Sequence, residues 1–221
     1  HKVSVFRDFL FSGICFNSVL NQVLLFGSSG HAKSCVDLIE STETFVIKGV
    51  VTREKSTFSS FMGYDVAGTD ESIEELVWDC PQAVIGVGQI KDAGPRIGLF
   101  LKLMEFNAEM PVIVSPYSKV SRHSNLGDGS LVFHHVVVNA SAIVGQNCIL
   151  NNKSLIEHDA VIEDHCHIST GAIVNGGAKV GRGSFVGSGA ILHEGVCVGE
   201  NSIIGAGKVV REDVEPRSIY K

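Results

Sequence analysis

One short stretch concentrates groups that can move a proton. Glu157-His158-Asp159 puts an imidazole between two carboxylates. A histidine with its ordinary pKa near ~6.5 accepts a proton at neutral pH. A carboxylate beside it favours the proton-accepting state and fixes the tautomer. A second stretch, Gly27-Ser28-Ser29-Gly30-His31, could hold an anion. A glycine-rich turn presents backbone amides, and a helix that begins at its end adds its own. Lys33 is close enough to assist, or is a solvated first-turn side chain. His123, His134, His135, His165 and His193 lie at no multiple of eighteen residues from His158 or from one another. They read as solvated side chains, and no metal site is expected from them.

The element that positions His158 is a repeat. From Val120 to Val210 every sixth residue is Val, Ile or Leu, sixteen positions without an insertion. Glycine follows the aliphatic at Gly127, Gly145, Gly181, Gly187, Gly199 and Gly205, and a small residue stands two before it at most units. A six-residue period is neither helical nor a simple strand alternation. It predicts a triangular parallel β-solenoid in which eighteen residues close a coil, about five coils in all. The aliphatics stack inward and the glycines serve tight corners. Residues eighteen apart lie above one another, so Ala140, His158, Gly176 and Glu194 form one column. Ala140 and Gly176 leave room beside the imidazole. Cys148 and Cys166 fall in the small inward slot, so a cysteine nucleophile is not expected.

Ahead of the repeat, strand and helix patterns alternate. Residues 23–26 read as a strand, 32–40 as a helix, 45–51 as a strand, 63–68 as a turn and 70–77 as a helix capped by Thr69 or Asp70. Residues 83–88 follow as a strand, 91–106 as a helix with Pro95 in its first turn, and 111–114 as a closing strand. This is a small Rossmann-like parallel α/β sheet. Ligands sit at the carboxyl ends of such strands, where 27–31 and Gly88 both fall. The domains expected are an extension or expression remnant over 1–22, the α/β domain over 23–114 and the solenoid over 115–221.

The 221 residues carry a net charge of −6, which argues against nucleic-acid or anionic-membrane surfaces. No run approaches the ~20 apolar residues of a membrane helix. Six cysteines without a CxxC pair read as reduced thiols of a cytoplasmic protein.

Leu150-Asn151-Asn152-Lys153-Ser154-Leu155-Ile156-Glu157-His158-Asp159 resembles the signature of bacterial sugar O-acyltransferases of the sialic acid O-acetyltransferase type. These are hexapeptide-repeat acyltransferases, and they include N-acetyltransferases acting on nucleotide-linked 4-amino sugars. Gly27-Ser28-Ser29-Gly30-His31 before a helix resembles that family's N-terminal motif. The resemblance spans roughly residues 23–221 and implies a left-handed β-helix, acetyl-CoA as co-substrate and a homotrimer with its active site between neighbouring chains. It implies His158 as general base with Asp159 as acidic neighbour. It implies His167, Gly176, Ser188 and Ala206 as acetyl-CoA contacts, and Ser29, Gly30, His31 and Gly88 as sugar-nucleotide contacts. The implied activity is N-acetylation of a nucleotide-linked amino sugar for surface glycan or glycoprotein synthesis. O-acetylation of sialic acid or a related sugar is the alternative within enzymes, and a trimeric solenoid scaffold the alternative outside them. Where relatives that use UDP-amino sugars carry consecutive acidic residues, this chain reads Val51-Thr52-Arg53-Glu54, so the resemblance does not extend to the nucleotide. Where the family carries a Gly-x-Pro-Ala-Lys segment, this sequence reads Ile219-Tyr220-Lys221, a departure expected to bear on CoA binding.

Overall fold

A computed structural model describes residues 20–55 and 58–221. The extension expected over 1–22 lies almost wholly outside them, and its last two residues already belong to the first strand. The order is β1 (Asn21–Phe26), α1 (Gly30–Glu40), β2 (Phe45–Thr52), β3 (Ser60–Phe61), β4 (Tyr64–Thr69), a 3-10 turn (Asp70–Ser72), α2 (Ile73–Asp79), β5 (Ala83–Ile85) and α3 (Gly94–Glu105). The sheet order is β3-β4-β2-β1-β5, parallel except for the β3–β4 hairpin. The segment expected to be a turn over 63–68 is therefore mostly β4. Only Met62 and Gly63, both at positive φ, make the turn. The helix expected over 70–77 starts as a 3-10 turn with Thr69 as its cap, in a capping box with Ser72.

The solenoid forms as expected, with three parallel sheets of seven, six and five two-residue strands. Partners lie eighteen residues apart, as in Leu155 opposite Ile173 and His167 opposite Phe185. The helix is left-handed. The inward aliphatics, with Ala142, Cys148, Cys166 and Ala172 between them, make one buried column from Val132 onward, with Val120 and Leu126 partly buried at its first end. The strand expected to close the α/β domain is Ile113–Val114, and it pairs with Leu131–Val132 instead. It is the first rung of the solenoid, and Val114 is in register six before Val120.

The corners correct the role given to glycine. Positive φ recurs at residue 129 and at every sixth position through 207, half of them non-glycine, including His135, Asn147 and Asp159. The glycines that follow the aliphatics lie at a different phase. A Cβ on Gly127 or Gly187 would stand 2.6 Å from a backbone nitrogen of the next coil. Their absence of a side chain permits the coils to stack closely, and the corner conformation falls to a different set, glycines such as Gly129 and Gly171 together with residues such as Asn147 and Asp159 that tolerate it.

The first face of the solenoid, which carries Leu131, Ile149 and His167, lies against the α/β domain. Leu131, Phe133 and Ile149 share a buried cluster with Val36 and Ile39 of α1, so the two domains meet through a continuous apolar core. The second face carries Val137, Leu155, Ile173, Ile191 and Val209 pointing outward. Among the described residues, no helix is long and apolar enough to cross a membrane.

Candidate active site

His158 stands on the corner between the second and third faces, just after the strand Leu155–Ile156. The next residue, Asp159, occupies the positive-φ corner position at 60°. That turn brings its carboxylate back onto the imidazole, with His158 Nδ1 2.8 Å from Asp159 Oδ2. The carboxylate accepts the Nδ1 proton, so Nε2 is the basic nitrogen. Glu157 supports the pair from behind: its Oε2 accepts Asn139 Nδ2–H at 2.8 Å and the His158 backbone N–H at 3.3 Å. The imidazole is more than half exposed. Its pKa is raised, first by the hydrogen bond to Asp159 and further by the charges of Asp159, Glu157 and Glu194.

Gly176 lies on the next coil beneath the ring. A Cβ there would come 2.8 Å from His158 Cε1 and 3.0 Å from Nε2. The space next to Gly176 is thus filled by the imidazole itself, which rests on bare backbone. The corner amides lock the column, Gly177 N–H donating to His158 O and Gly195 N–H to Gly176 O, both at 3.0 Å.

The residues singled out in the sequence fall into three places. His158, Asp159 and Gly176 share the corner described. Ser188 and Ala206 are exposed on the other edge of the second face, one coil apart, with Ser188 Oγ 2.9 Å from Ser169 Oγ. His167 is on the first face, buried under the α/β domain. Its Nδ1–H donates to Gln89 O at 2.5 Å, and its ring packs edge-on against Phe185. Burial chiefly lowers its pKa, to about 4.

The turn over 27–31 follows β1. Gly27 has φ +123°, and a Cβ there would meet Gly86 backbone at 3.1 Å. Ser29 is the N-cap of α1 but makes no side-chain capping bond. Gly30 opens the helix. His31 points inward, its ring 6.4 Å from that of His167, and its Nε2 is buried without a hydrogen-bond partner among the described residues. Burial, then the nearby charge of Arg96, depress its pKa to about 3, so the ring is neutral. Gly88 passes beside it, where a Cβ would sit 3.1 Å from His31 Cβ.

Two histidines expected to be solvated are not. His165 is buried, edge-on to Phe100, with Nδ1 3.0 Å from Asn147 Nδ2. His134 bridges the domains, 2.7 Å from Ser115 Oγ and 2.9 Å from Asp37 Oδ2. Both sit where the α/β domain covers the solenoid, which the repeat alone does not reveal. Sequence reasoning also missed Arg96. This fully buried guanidinium donates to Ile85 O, Val87 O and Asn147 O, clamping the end of β5 to the solenoid. The spacing of Arg96, Phe100 and Leu103 on α3 marks a buried stripe and could have found it. Cys148 and Cys166 point inward as free thiols. Among the described residues, no cluster of three ligating side chains could hold a metal.

Two family descriptions match the chain: the PglD N-terminal domain over residues 22–92, and bacterial transferase hexapeptide (six repeats) over residues 177–212. No curated protein matches it by sequence. Solved structures do. PerB from Caulobacter crescentus, in complex with CoA and GDP-perosamine, is 26% identical over 90% of this chain and 92% of that one, with a TM-score of 0.83. A histidine-to-asparagine mutant of perosamine N-acetyltransferase from the same organism, with the same ligands, is 25% identical over the same shares at a TM-score of 0.82. The acetyltransferase domain of PglB from Neisseria gonorrhoeae FA1090, in complex with acetyl coenzyme A, is 25% identical over 90% and 95%, at 0.83. The fold and these likenesses define a left-handed β-helix acyltransferase. Within that class the chain joins a PglD-type N-terminal domain to the hexapeptide-repeat transferase domain.

Proposed function

We propose that the protein transfers the acetyl group of acetyl-CoA to the amino group of a nucleotide-linked 4-amino sugar, with His158 as general base. The observation that carries this reading is the exposed His158–Asp159 pair, seated on Gly176 at a solenoid corner, with Nε2 free to take a proton. The amine attacks the thioester carbonyl. His158 Nε2 takes the proton the amine must lose, the tetrahedral intermediate collapses with cleavage of the C–S bond, and the proton passes to the departing CoA thiolate. Asp159 holds the tautomer and offsets the imidazolium charge. No acyl-enzyme is needed, in keeping with the inward thiols. The relatives' bound CoA, acetyl-CoA and GDP-perosamine support the same co-substrate and acceptor class.

His158 lies on one edge of the outward aliphatic face, and Ser188 and Ala206 on the other. That face is half-buried in the single chain and lined by Val137, Leu155, Ile173, Ile191 and Val209. An apolar surface of this kind fits an interface between copies. We therefore assign a homotrimer with acetyl-CoA held between neighbouring solenoids, its contacts including Gly176, Ser188 and Ala206, whereas the buried His167 acts from beneath the α/β domain by holding Gln89. Ser29, Gly30, His31 and Gly88 hold the sugar nucleotide at the start of α1. Buried free thiols at Cys35, Cys80, Cys148 and Cys166 favour a cytoplasmic site of action.

The test is steady-state release of CoA with GDP- and UDP-linked 4-amino sugars against free and CMP-linked sialic acid. Turnover with the amino sugars and none with sialic acid is expected. Turnover only with sialic acid would shift the assignment to O-acetylation, and no turnover with any sugar would sink it.

A further inference from the structure

At the carboxyl edge of the α/β sheet, a cleft of about 370 Å³ opens from Gly27 and runs between the end of β2, the 3-10 turn and the first turns of α3. Val87 and Leu99 supply apolar walls, and Arg53, Asp70 and Lys102 supply its charged groups. Lys102 is already engaged: its Nζ donates to the backbone oxygen of Asp70. The Asp70 carboxylate and the Arg53 guanidinium make no hydrogen bond among the described residues, and they are close enough to influence each other. An apolar slot with one free carboxylate and one free guanidinium thus adjoins the turn proposed to hold the diphosphate. The cleft and the start of α1 share Gly27, so a nucleotide with its phosphates at that turn would have the cleft within reach of its base.

We propose that the cleft is a guanine slot, in which Asp70 accepts the N1–H and 2-amino donors of the base and Arg53 donates to its O6/N7 edge. The inference rests on the nucleotide-sugar reading above and names its nucleotide. The chemistry of the bases makes the choice. An ionised carboxylate only accepts hydrogen bonds and pairs best with two adjacent donors. Guanine presents such a pair. Uracil and thymine flank a single N–H with two carbonyl oxygens, which would face the carboxylate oxygens. Adenine and cytosine each place a ring-nitrogen acceptor beside the exocyclic amine. Arginine is matched to the O6 and N7 acceptors of guanine. The volume suits a base flanked by Val87 and Leu99.

The experiment is calorimetric titration of GDP, IDP and UDP onto the full chain, with Asp70→Asn alongside. IDP lacks only the 2-amino group. Wild-type protein should bind GDP at least about tenfold more tightly than UDP and about fivefold more tightly than IDP. Asp70→Asn should erase the GDP–IDP difference, because one donor of the pair then meets an amide NH₂. The variant should fold, since the fold uses the backbone oxygen of Asp70, the bond from Lys102, and the cap is Thr69. UDP binding as tight as GDP, a GDP–IDP ratio unchanged in Asp70→Asn, or no binding of any of the three would overturn the slot. Acetyl transfer to a UDP-amino sugar would leave the function standing without it. GDP selectivity without acetyl transfer would leave the slot and remove the function.

Discussion

His158 and His167 are nine residues apart on the same repeat, and the fold gives them opposite properties. His158 faces solvent on a corner with a carboxylate on Nδ1, which raises its pKa. His167 is sealed beneath the α/β domain with a backbone carbonyl on Nδ1, and burial lowers its pKa to about 4. A carboxylate partner stabilises the imidazolium, so the ring is a better base. A neutral carbonyl cannot offset lost hydration, so the buried ring stays neutral and acts as a fixed donor. The exposed corner is suited to acid–base chemistry. The covered face holds Gln89, and with it the loop carrying Gly88, against the solenoid.

Replacing the base breaks the comparison most directly. His158→Ala should cut kcat by a factor of roughly 10² or more in steady-state assays, whereas His167→Gln, which keeps a donor, should mainly raise KM for the sugar nucleotide. Unchanged turnover in His158→Ala would refute the mechanism. Arg96→Met should act on the covered side alone. Leaving the Ile85, Val87 and Asn147 carbonyls without their donor should cost about 2 kcal/mol and lower Tm by roughly 5 °C in a thermal melt. Gly176→Ala should act on the corner alone. The new Cβ must displace the imidazole, so kcat should fall about tenfold while the melting curve barely moves.

The smallest effect concerns pH. Because Asp159 raises the pKa of His158, the proton-accepting form is present above that raised value and is lost as pH falls through it. The acid limb of kcat/KM reports this ionisation. Asp159→Asn should move the limb to lower pH, toward the ordinary histidine value near ~6.5, and reduce the plateau about fivefold. A limb that stays in place would show that another group controls it.

Much of the solenoid side was legible because its geometry is a local repeat. The column through His158 and Gly176 and the inward Cys148 and Cys166 follow from counting. What counting missed depends on the second domain. His165 has the polar look of a solvated corner residue, and Arg96 that of a helix-surface cation. Each is buried only because α3 and the end of β5 rest on the first face. The reason for the glycines after the aliphatics was misjudged for a related cause. A spacing shows where a glycine recurs but not which atom would strike its missing side chain.

The sequence by itself determined a stacked solenoid with an imidazole between carboxylates, because an eighteen-residue coil converts linear spacing into vertical alignment. It also indicated a strand, a glycine-rich turn and a helix ahead of it. Only the tertiary structure decided that Asp159 turns back onto His158, through its positive-φ corner. Only the structure put His31, Gly88, Gln89 and Arg96 against the solenoid, and Arg53 and Asp70 in one cleft. Such pairings join residues far apart in sequence, and no period relates an irregular α/β domain to the regular surface it covers.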